Sequence, residues 1–486
     1  MPLTESTDGV FRYVAVEKHI LGLIESGQLA AGQKIPSLRG LGARLGVSVT
    51  TVNQAYLALE RRGILEAKAK SGFFVRHAPS RTPSPKTAPT WTAPPTAGNR
   101  GALIHEVLEG MSRRDVLPLG IAQTDEAFLP GKTLTRLLSK IASAGGDNVV
   151  AYEGVCGNED LRRQIVWRLA GSGIEARPDD VMVTAGAMEA LYIALRSVTR
   201  PGDNVAIAAP SYYCFLQLLE NLGLRAVEVP SYPDGGVRPA ELAALLDRFD
   251  LRAVILTPNF NNPDGSCIPD AAKAEIAAMT AARGIPVIED DVYGDLHFGE
   301  KRPHCIKSSD TTGGVLHCAS FSKTLAPGFR VGYLLPGRFA AKAYEIKATT
   351  SVCCVTPTQL AVARYLAHGG FDRHLKRVRA TLERQARMME AAVMRHFPEG
   401  TRVTHPSGGT VLWLQLPPTV DAIALFYEAK AHGIGVAPGN IFSSNDQFSH
   451  YLRLSYGKAW SPEVEAALGT LGHLAATMQR EVVCGA

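Results

Sequence analysis

The sequence predicts an α/β protein built on a mostly parallel sheet, set behind a smaller N-terminal domain of helices and a hairpin. Three observations carry this. After residue 103, apolar runs of strand length alternate with helical stretches. Residues 78–100 hold six prolines and no acidic residue, a composition that cannot bury enough apolar surface to fold and reads as a semi-extended linker. Ahead of that linker, short helical stretches meet at a Gly-containing turn and lead into a basic pair of strands.

With 486 residues the chain is too long for one core, and two or three domains are expected. An apolar content of 46% with 20% charged residues is ordinary for a globular protein. The net charge of +5 excludes a polycation, yet residues 1–77 carry ten Lys/Arg against six Asp/Glu. No apolar run is long enough to span a bilayer, and the polar, acidic start is unlike a signal peptide. Eight cysteines follow no regular framework, so a reduced, cytoplasmic protein without a membrane partner is expected. The pairs His304-Cys305 and His317-Cys318 match no common ligand spacing, and no metal is expected.

In the N-terminal domain, residues 11–26 space Val14, Ile20, Leu21 and Ile24 on one helical face. Gly32 and Pro36 break the chain, and Ser37 caps a second helix, Leu38 to Leu45. Gly46-Val47 turns, and Ser48 caps a third helix, Val49 to Arg62, with Val52, Ala55, Tyr56 and Leu59 on one side. Strands at 64–68 and 72–76 follow, joined by Ala69-Lys70-Ser71. Helix, turn, helix and basic hairpin make a winged helix-turn-helix layout. The third helix offers Ser48, Thr50, Thr51, Asn53 and Gln54 to a major groove, while Lys68, Lys70 and Arg39 are placed for phosphates.

Beyond the linker, strands are expected at 181–184, 204–208, 226–229, 253–257, 286–289, 315–319 and 332–335. From about residue 340 the pattern changes to a smaller α+β part, with a long helix over 371–396 and a strand over 411–416.

The densest chemistry lies in Ala319-Ser-Phe-Ser-Lys-Thr-Leu-Ala-Pro-Gly-Phe-Arg-Val-Gly-Tyr333. Lys323 follows a strand-like run, a rigid place from which to aim an amine. An amine that attacks a carbonyl must be partly deprotonated, and a nearby cation such as Arg330 pushes its pKa that way. Ser320, Ser322 and Arg330 suit a phosphate. A lysine, a phosphate site and a strand end fit pyridoxal phosphate (PLP).

This string resembles the lysine motif of fold-type I PLP-dependent aminotransferases. The resemblance implies that Lys323 bonds covalently to the cofactor and that Ser320, Ser322 and Arg330 hold its phosphate. In Val287-Ile-Glu-Asp-Asp-Val-Tyr293 it places Asp290 under the ring nitrogen and Tyr293 at the ring hydroxyl, with Glu289 and Asp291 as competing carboxylates. Pro258-Asn-Phe-Asn-Asn-Pro-Asp-Gly265 resembles the family's N-P-x-G turn and gives Asn262 to the same ring oxygen. Pro210-Ser-Tyr212 resembles the segment that lays an aromatic ring over the cofactor, Tyr212 first and Tyr213 second. Thr184-Ala-Gly-Ala-Met-Glu189 runs from a strand into a helix, and Gly186, Ala187 and Met188 would offer backbone N–H groups to the phosphate. Tyr451-Leu-Arg-Leu-Ser455 resembles the strand that carries the substrate-carboxylate arginine, here Arg453. Tyr152 resembles a tyrosine that reaches the neighbouring subunit's phosphate, although Gly154 and Val155 replace the family's acid and proline. Leu119 to Pro130 corresponds to a substrate-facing loop.

Ile35-Pro-Ser-Leu-Arg39, Leu45-Gly-Val-Ser48, Thr51-Val52, Ala55-Tyr56, Leu59, Gly63 and Ser71-Gly-Phe-Phe-Val75 resemble the GntR family of transcription regulators. Val49 stands where that family commonly has arginine. The order of the parts resembles the MocR-type subgroup of GntR regulators: a DNA-binding domain (1–77), a Pro-rich linker (78–102) and an aminotransferase-like PLP-binding domain (103–486). The resemblance implies a head-to-tail homodimer that binds double-stranded promoter DNA and senses an amino acid, an amine or PLP. A catalytically active aminotransferase with a fused DNA-binding domain is the alternative.

Overall fold

The structure, a computed structural model, describes residues 12–25, 28–30, 32–61, 63–68, 71–76, 84–85, 101–113, 115–143 and 149–484. The chain forms two compact units, one of residues 1–82 with 383–395, the other of residues 83–382 with 396–486.

In the first unit α1 (Arg12–Glu25), α2 (Leu38–Leu45) and α3 (Val49–Arg61) precede β1 (Leu65–Lys68) and β2 (Gly72–Val75). Ser37 starts α2 by accepting the Gly40 N–H at 3.1 Å, and Gly46 ends it with φ 68°, a left-handed value that costs glycine nothing. Ser48 starts α3 in the same way, accepting the Thr51 N–H at 3.1 Å. Val16, Ile20, Leu41, Leu45, Val52, Ala55 and Leu59 share one core with Leu65 and Val75 of the hairpin. Tyr56 is buried in that core, donates its hydroxyl to the Pro36 carbonyl at 2.7 Å, and is pushed by burial up to a pKa of about 12. β1 and β2 pair antiparallel from Leu65 opposite Val75 to Lys68 opposite Gly72, which makes the wing. Lys70 and Trp91 lie outside the described residues.

The second unit is organised by β3 (Leu117–Pro118), β4 (Met182–Thr184), β5 (Asn204–Ala209), β6 (Arg225–Tyr232), β7 (Gly236–Val237), β8 (Leu251–Leu256), β9 (Val287–Asp290), β10 (Val315–Ser320) and β11 (Gly332–Leu335). Eight of these form one sheet in the order β4-β11-β10-β9-β8-β5-β6-β7. The five neighbours β10, β9, β8, β5 and β6 run parallel, and β11 runs antiparallel between β10 and β4. All seven expected strands are in this sheet. Alternation along the strands serves two faces. Ile207, Ile255, Ile288 and Leu316 pack with Leu191, Ala194 and Leu195 of helix Ala187–Val198. Ala206, Val254, Val287 and Val315 pack with Leu242, Leu245 and Ile276 on the other side. Burial on both faces explains why these strands read as continuous apolar runs.

A smaller sheet follows from β12 (Arg402–Val403), β13 (Val411–Gln415), β14 (Ile434–Gly435), β15 (Ala437–Pro438) and β16 (Tyr451–Ser455), in the order β12-β13-β16-β15, while β14 pairs parallel with β3. The first part of the unit therefore closes against the last. Helix Gly101–Ser112 begins at the end of the Pro-rich stretch and packs with β3 and β14. Helices Ala340–Thr350 and Thr356–Ala367 lie against the large sheet's helices, Ala187–Val198, Gly131–Ser143 and Glu159–Ala170.

Candidate functional site

The C-terminal ends of parallel strands converge where an α/β sheet binds ligands. Asp290 ends β9, Ser320 ends β10, Thr257 follows β8, and Gly186 follows β4. Ala187, Met188, Tyr212, Asn262, Asp290, Tyr293, Ser320, Ser322, Lys323 and Arg330 line one cavity of about 160 Å³, joined by Leu191, Thr257 and Val292.

Lys323 donates to the Ala122 carbonyl at 2.6 Å and lies 5.8 Å from the centre of the Tyr293 ring. Burial first, then Arg453 and Arg330, lower its pKa to about 8, against the opposing pull of Asp290. The amine is thus substantially neutral at mildly alkaline pH, the state a nucleophile requires.

Three adjacent acids have three environments. Both oxygens of Glu289 accept backbone N–H groups, from Ile306 at 2.6 Å and Lys307 at 3.0 Å, and Glu289 also meets His317 Nδ1 at 3.1 Å. Cys305 lies near this pair, so Glu289, Cys305 and His317 bring their polar atoms within 4.8 Å of one another. Asp291 is bound by Arg302 and by Asn259 Nδ2 at 2.9 Å; burial works to raise its pKa, and Arg302 with His317 overcomes that and holds the carboxyl below the usual range. Asp290 is 4% exposed, yet its Oδ1 has no hydrogen-bond partner. Burial and the neighbouring Asp291 push it up to about 7. An orphaned carboxylate oxygen at the end of a cavity suits a protonated ring nitrogen.

At the other end, Gly186 precedes helix Ala187–Val198 with φ 85° and no side-chain cap, which leaves the helix's first N–H groups for a ligand. A Cβ on Gly186 would stand 2.3 Å from Arg330 Nη2, so only glycine lets the guanidinium reach this turn. Arg330 donates to Ser322 Oγ at 3.3 Å and to the Ala185 carbonyl at 3.1 Å, and Ser320 Oγ accepts the Ser322 N–H at 3.3 Å. Cation, hydroxyls and helix N-terminus together suit a phosphate. Tyr212 and Tyr213 pack at 4.7 Å beside the cavity, and burial raises the hydroxyl pKa of both. The donor set therefore fits PLP from ring nitrogen to phosphate.

Arg453, on β16, is 1% exposed and carries no ion pair with a described carboxylate. It donates to Asn262 Oδ1 at 2.8 Å and to the Gly120 carbonyl, and its Nε has no partner. Burial lowers its pKa from the usual value. A buried cation among neutral acceptors is a receptor for an anion. Tyr152 stands apart from the cavity, 88% exposed.

Sequence reading did not single out Thr257 or Leu191, and it gave Gly120 and Ala122 only as part of the 119–130 loop. Thr124 donates to the Lys323 carbonyl at 2.6 Å, so the 119–130 loop closes on both Lys323 and Arg453 through backbone carbonyls and one hydroxyl. Backbone acceptors leave no mark in a sequence; Thr257 had one, its place as the last residue of the strand expected over 253–257.

On the first unit Arg39, Thr50 and Gln54 are exposed, Asn53 is half-buried, and Val49 is 44% exposed. Ser48 and Thr51 bond each other, Oγ to Oγ1, at 2.8 Å within the helix cap. Lys68 on the wing lies over the Phe74 ring at 4.9 Å.

Residues 115–471 match the aminotransferase class I and II family, and residues 12–75 match the bacterial regulatory proteins of the gntR family. The uncharacterized HTH-type transcriptional regulators YjiR and YdcR of Escherichia coli (strain K12) are each 34% identical, over 95% of this chain and 98% of their own. The 2-aminoadipate transaminase of Thermus thermophilus is 31% identical over 74% of this chain and 89% of its own. Among solved structures, LysN, the α-aminoadipate aminotransferase of Thermus thermophilus complexed with N-(5'-phosphopyridoxyl)-L-leucine, superposes with TM-score 0.71 and 28% identity over 78% of this chain and 95% of that one. The Pyrococcus horikoshii kynurenine aminotransferase does so with TM-score 0.71 and 25% identity, over 78% and 94%. The chain belongs to the MocR-type GntR regulators, HTH-type transcriptional regulators that join a DNA-binding GntR domain to a PLP-binding domain of the aminotransferase fold.

Proposed function

We propose that this regulator senses an amino acid at the PLP cavity and converts its occupancy into a change of DNA affinity. The observation that carries the reading is Arg453, a buried guanidinium with only neutral partners, one hydrogen bond from Asn262 in the cavity wall that also holds Lys323. It favours a ligand with a carboxylate over a simple amine or PLP alone, because the carboxylate supplies the missing counter-charge.

When bound, PLP supplies an electron-withdrawing ring to which an amino group can be joined. The chain's own residues bind and orient. Lys323 offers the amine. Asp290 holds the proton on the ring nitrogen, and Tyr293 and Asn262 take the ring oxygen. Tyr212 covers the ring. Gly186, Ala187 and Met188 with Ser320, Ser322 and Arg330 hold the phosphate, and Tyr152 reaches the phosphate of a partner subunit in a head-to-tail homodimer. Thr50, Asn53 and Gln54 read a major groove, Arg39, Lys68 and Lys70 meet phosphates, and Ser48 and Thr51 serve DNA through the cap they share. The setting is the cytoplasm. A ligand that binds one arrangement of the dimer better than another supplies the energy for the switch.

The same set of Lys323, Asp290, Tyr293, Asn262, Arg330 and Arg453 is also sufficient in kind for transamination, which keeps turnover as a second reading. Absorbance of the PLP-loaded protein, titrated with a panel of amino acids and amines, tests both. A lasting spectral change with one amino acid is expected. Conversion to pyridoxamine phosphate that cycles with a keto acid favours the enzyme. A Lys323→Ala protein that responds normally to that amino acid refutes the role of the lysine.

A further inference from the structure

The connection from β15 to β16 contains no strand, yet it packs an aromatic ring against Arg453. Phe442 in it lies with its ring 4.8 Å from the Arg453 guanidinium, 5.4 Å from Trp413 and 5.9 Å from Tyr213. The Phe442 carbonyl accepts the N–H of Ser211, the residue before Tyr212, at 2.9 Å. Four of the next five residues converge on one side chain. Glu228, on β6 of the large sheet, accepts from Ser443 Oγ at 2.8 Å, the Ser444 N–H at 2.6 Å, Asn445 Nδ2 at 3.1 Å and Gln447 Nε2 at 3.2 Å. Ser443 Oγ in turn accepts the Asn445 N–H at 3.1 Å and Gln447 Nε2 at 3.0 Å.

Four donors on one carboxylate is a costly use of an acid unless the segment needs fixing, because burial alone pushes Glu228 toward its neutral form. No Lys or Arg pairs with it among the described residues. Its partners are the segment itself, so the acid organises the segment rather than neutralising a charge.

We infer that Glu228 is a positioning residue for the carboxylate end of the ligand site: it clamps 443–447 to the large sheet and thereby holds Phe442 against Arg453. The inference rests on the reading of Arg453 as the carboxylate anchor. Removal of the clamp frees Phe442 and loosens the wall on one side of Arg453. The phosphate cradle and Asp290 stand on other strands and keep their geometry.

Two probes separate the ends of the site. Pyridoxamine phosphate has the ring and phosphate; N-(5'-phosphopyridoxyl)-L-leucine adds an amino-acid carboxylate and side chain. Dissociation constants for both are measured by calorimetry on the full-length protein, as wild type, Glu228→Ala, Glu228→Gln and Arg453→Met. The Glu228→Ala protein is expected to lose roughly tenfold in affinity for the leucine conjugate and several-fold less than that for pyridoxamine phosphate, which meets the freed segment only through Ser211 and Tyr212. Glu228→Gln, which keeps the shape but offers one acceptor oxygen and no charge, shows a smaller loss on the same probe. An equal loss on both probes, or no loss on either, overturns the inference. If Arg453→Met leaves the conjugate's advantage intact, the anchor reading itself fails; if Arg453→Met abolishes it and the Glu228 variants do not, only the clamp fails.

Discussion

Asp290→Asn separates what the site does for function from what it costs the fold. The carboxyl is 4% exposed, lacks a partner on Oδ1 and is pushed from 3.8 to about 7 by burial and by Asp291. Its folded pKa is raised above the unfolded value, so the folded state disfavours the charged form. The cost is absent below about pH 4, grows as pH rises between the two values, and is complete above about pH 7. A shift of about 3 units at 1.36 kcal/mol each sets a ceiling of about 4 kcal/mol above that pH, and a cost of roughly 1.5–2 kcal/mol at pH 5. Asparagine cannot ionise and keeps an acceptor for the Val292 N–H. The ligand-free Asp290→Asn protein is therefore expected to gain about 2–3 kcal/mol more, relative to wild type, at pH 8 than at pH 5. Urea unfolding of both ligand-free proteins, followed by tryptophan fluorescence at the two pH values, measures this. PLP reverses the order: the variant binds it more weakly, because a neutral amide cannot hold a proton on the ring nitrogen. A variant equally stable relative to wild type at both pH values, or less stable at pH 8, would refute the assignment of a buried carboxylate whose charged form the fold disfavours.

Other expectations follow from the same geometry. The rate at which Lys323 captures the aldehyde of PLP should rise with pH around its pKa of about 8, read by stopped-flow absorbance. Arg453→Met removes a cation that lowers that pKa, so the profile should move to higher pH; a move to lower pH contradicts the electrostatic account. Gly186→Ala places a methyl group on Arg330 in a left-handed backbone, and PLP affinity should fall at least tenfold with inorganic phosphate competing less well. Arg39→Ala should weaken DNA binding across sequences and lower the slope of log affinity against log salt by about one, whereas Gln54→Ala should change sequence preference more than salt slope. Fluorescence anisotropy over a salt series distinguishes the two.

Much of the fold is written in the sequence. The seven strands were visible because a sheet buried on both faces must be apolar along its length, as in Val205 to Ala209 and Ala253 to Leu256. The helix starts at Ser37 and Ser48 were visible because a cap needs a short side chain whose oxygen can accept a backbone N–H. Asp290 had two competing carboxylates in the sequence, and nothing local there shows that Glu289 and Asp291 are taken up by hydrogen bonds while Asp290 Oδ1 is left without one. What stayed hidden is long-range. The pairing of Leu117 with Ile434 and the closure of Gly120 and Ala122 on Arg453 and Lys323 use backbone groups that any sequence has. The Glu228 clamp joins residues more than two hundred positions apart, and nothing local marks a glutamate on a strand as the holder of a distant segment.

In the proposed switch a ligand on Lys323 and Arg453 alters DNA binding. The direct measurement is the affinity of the PLP-loaded protein for DNA fragments selected by that same protein, with and without each of a panel of amino acids, in wild type and Lys323→Ala. At least one amino acid is expected to shift the wild-type affinity several-fold, within the usual range of coupling between sites, and to leave Lys323→Ala unmoved. The same shift in both proteins, or no shift with any amino acid, would contradict it.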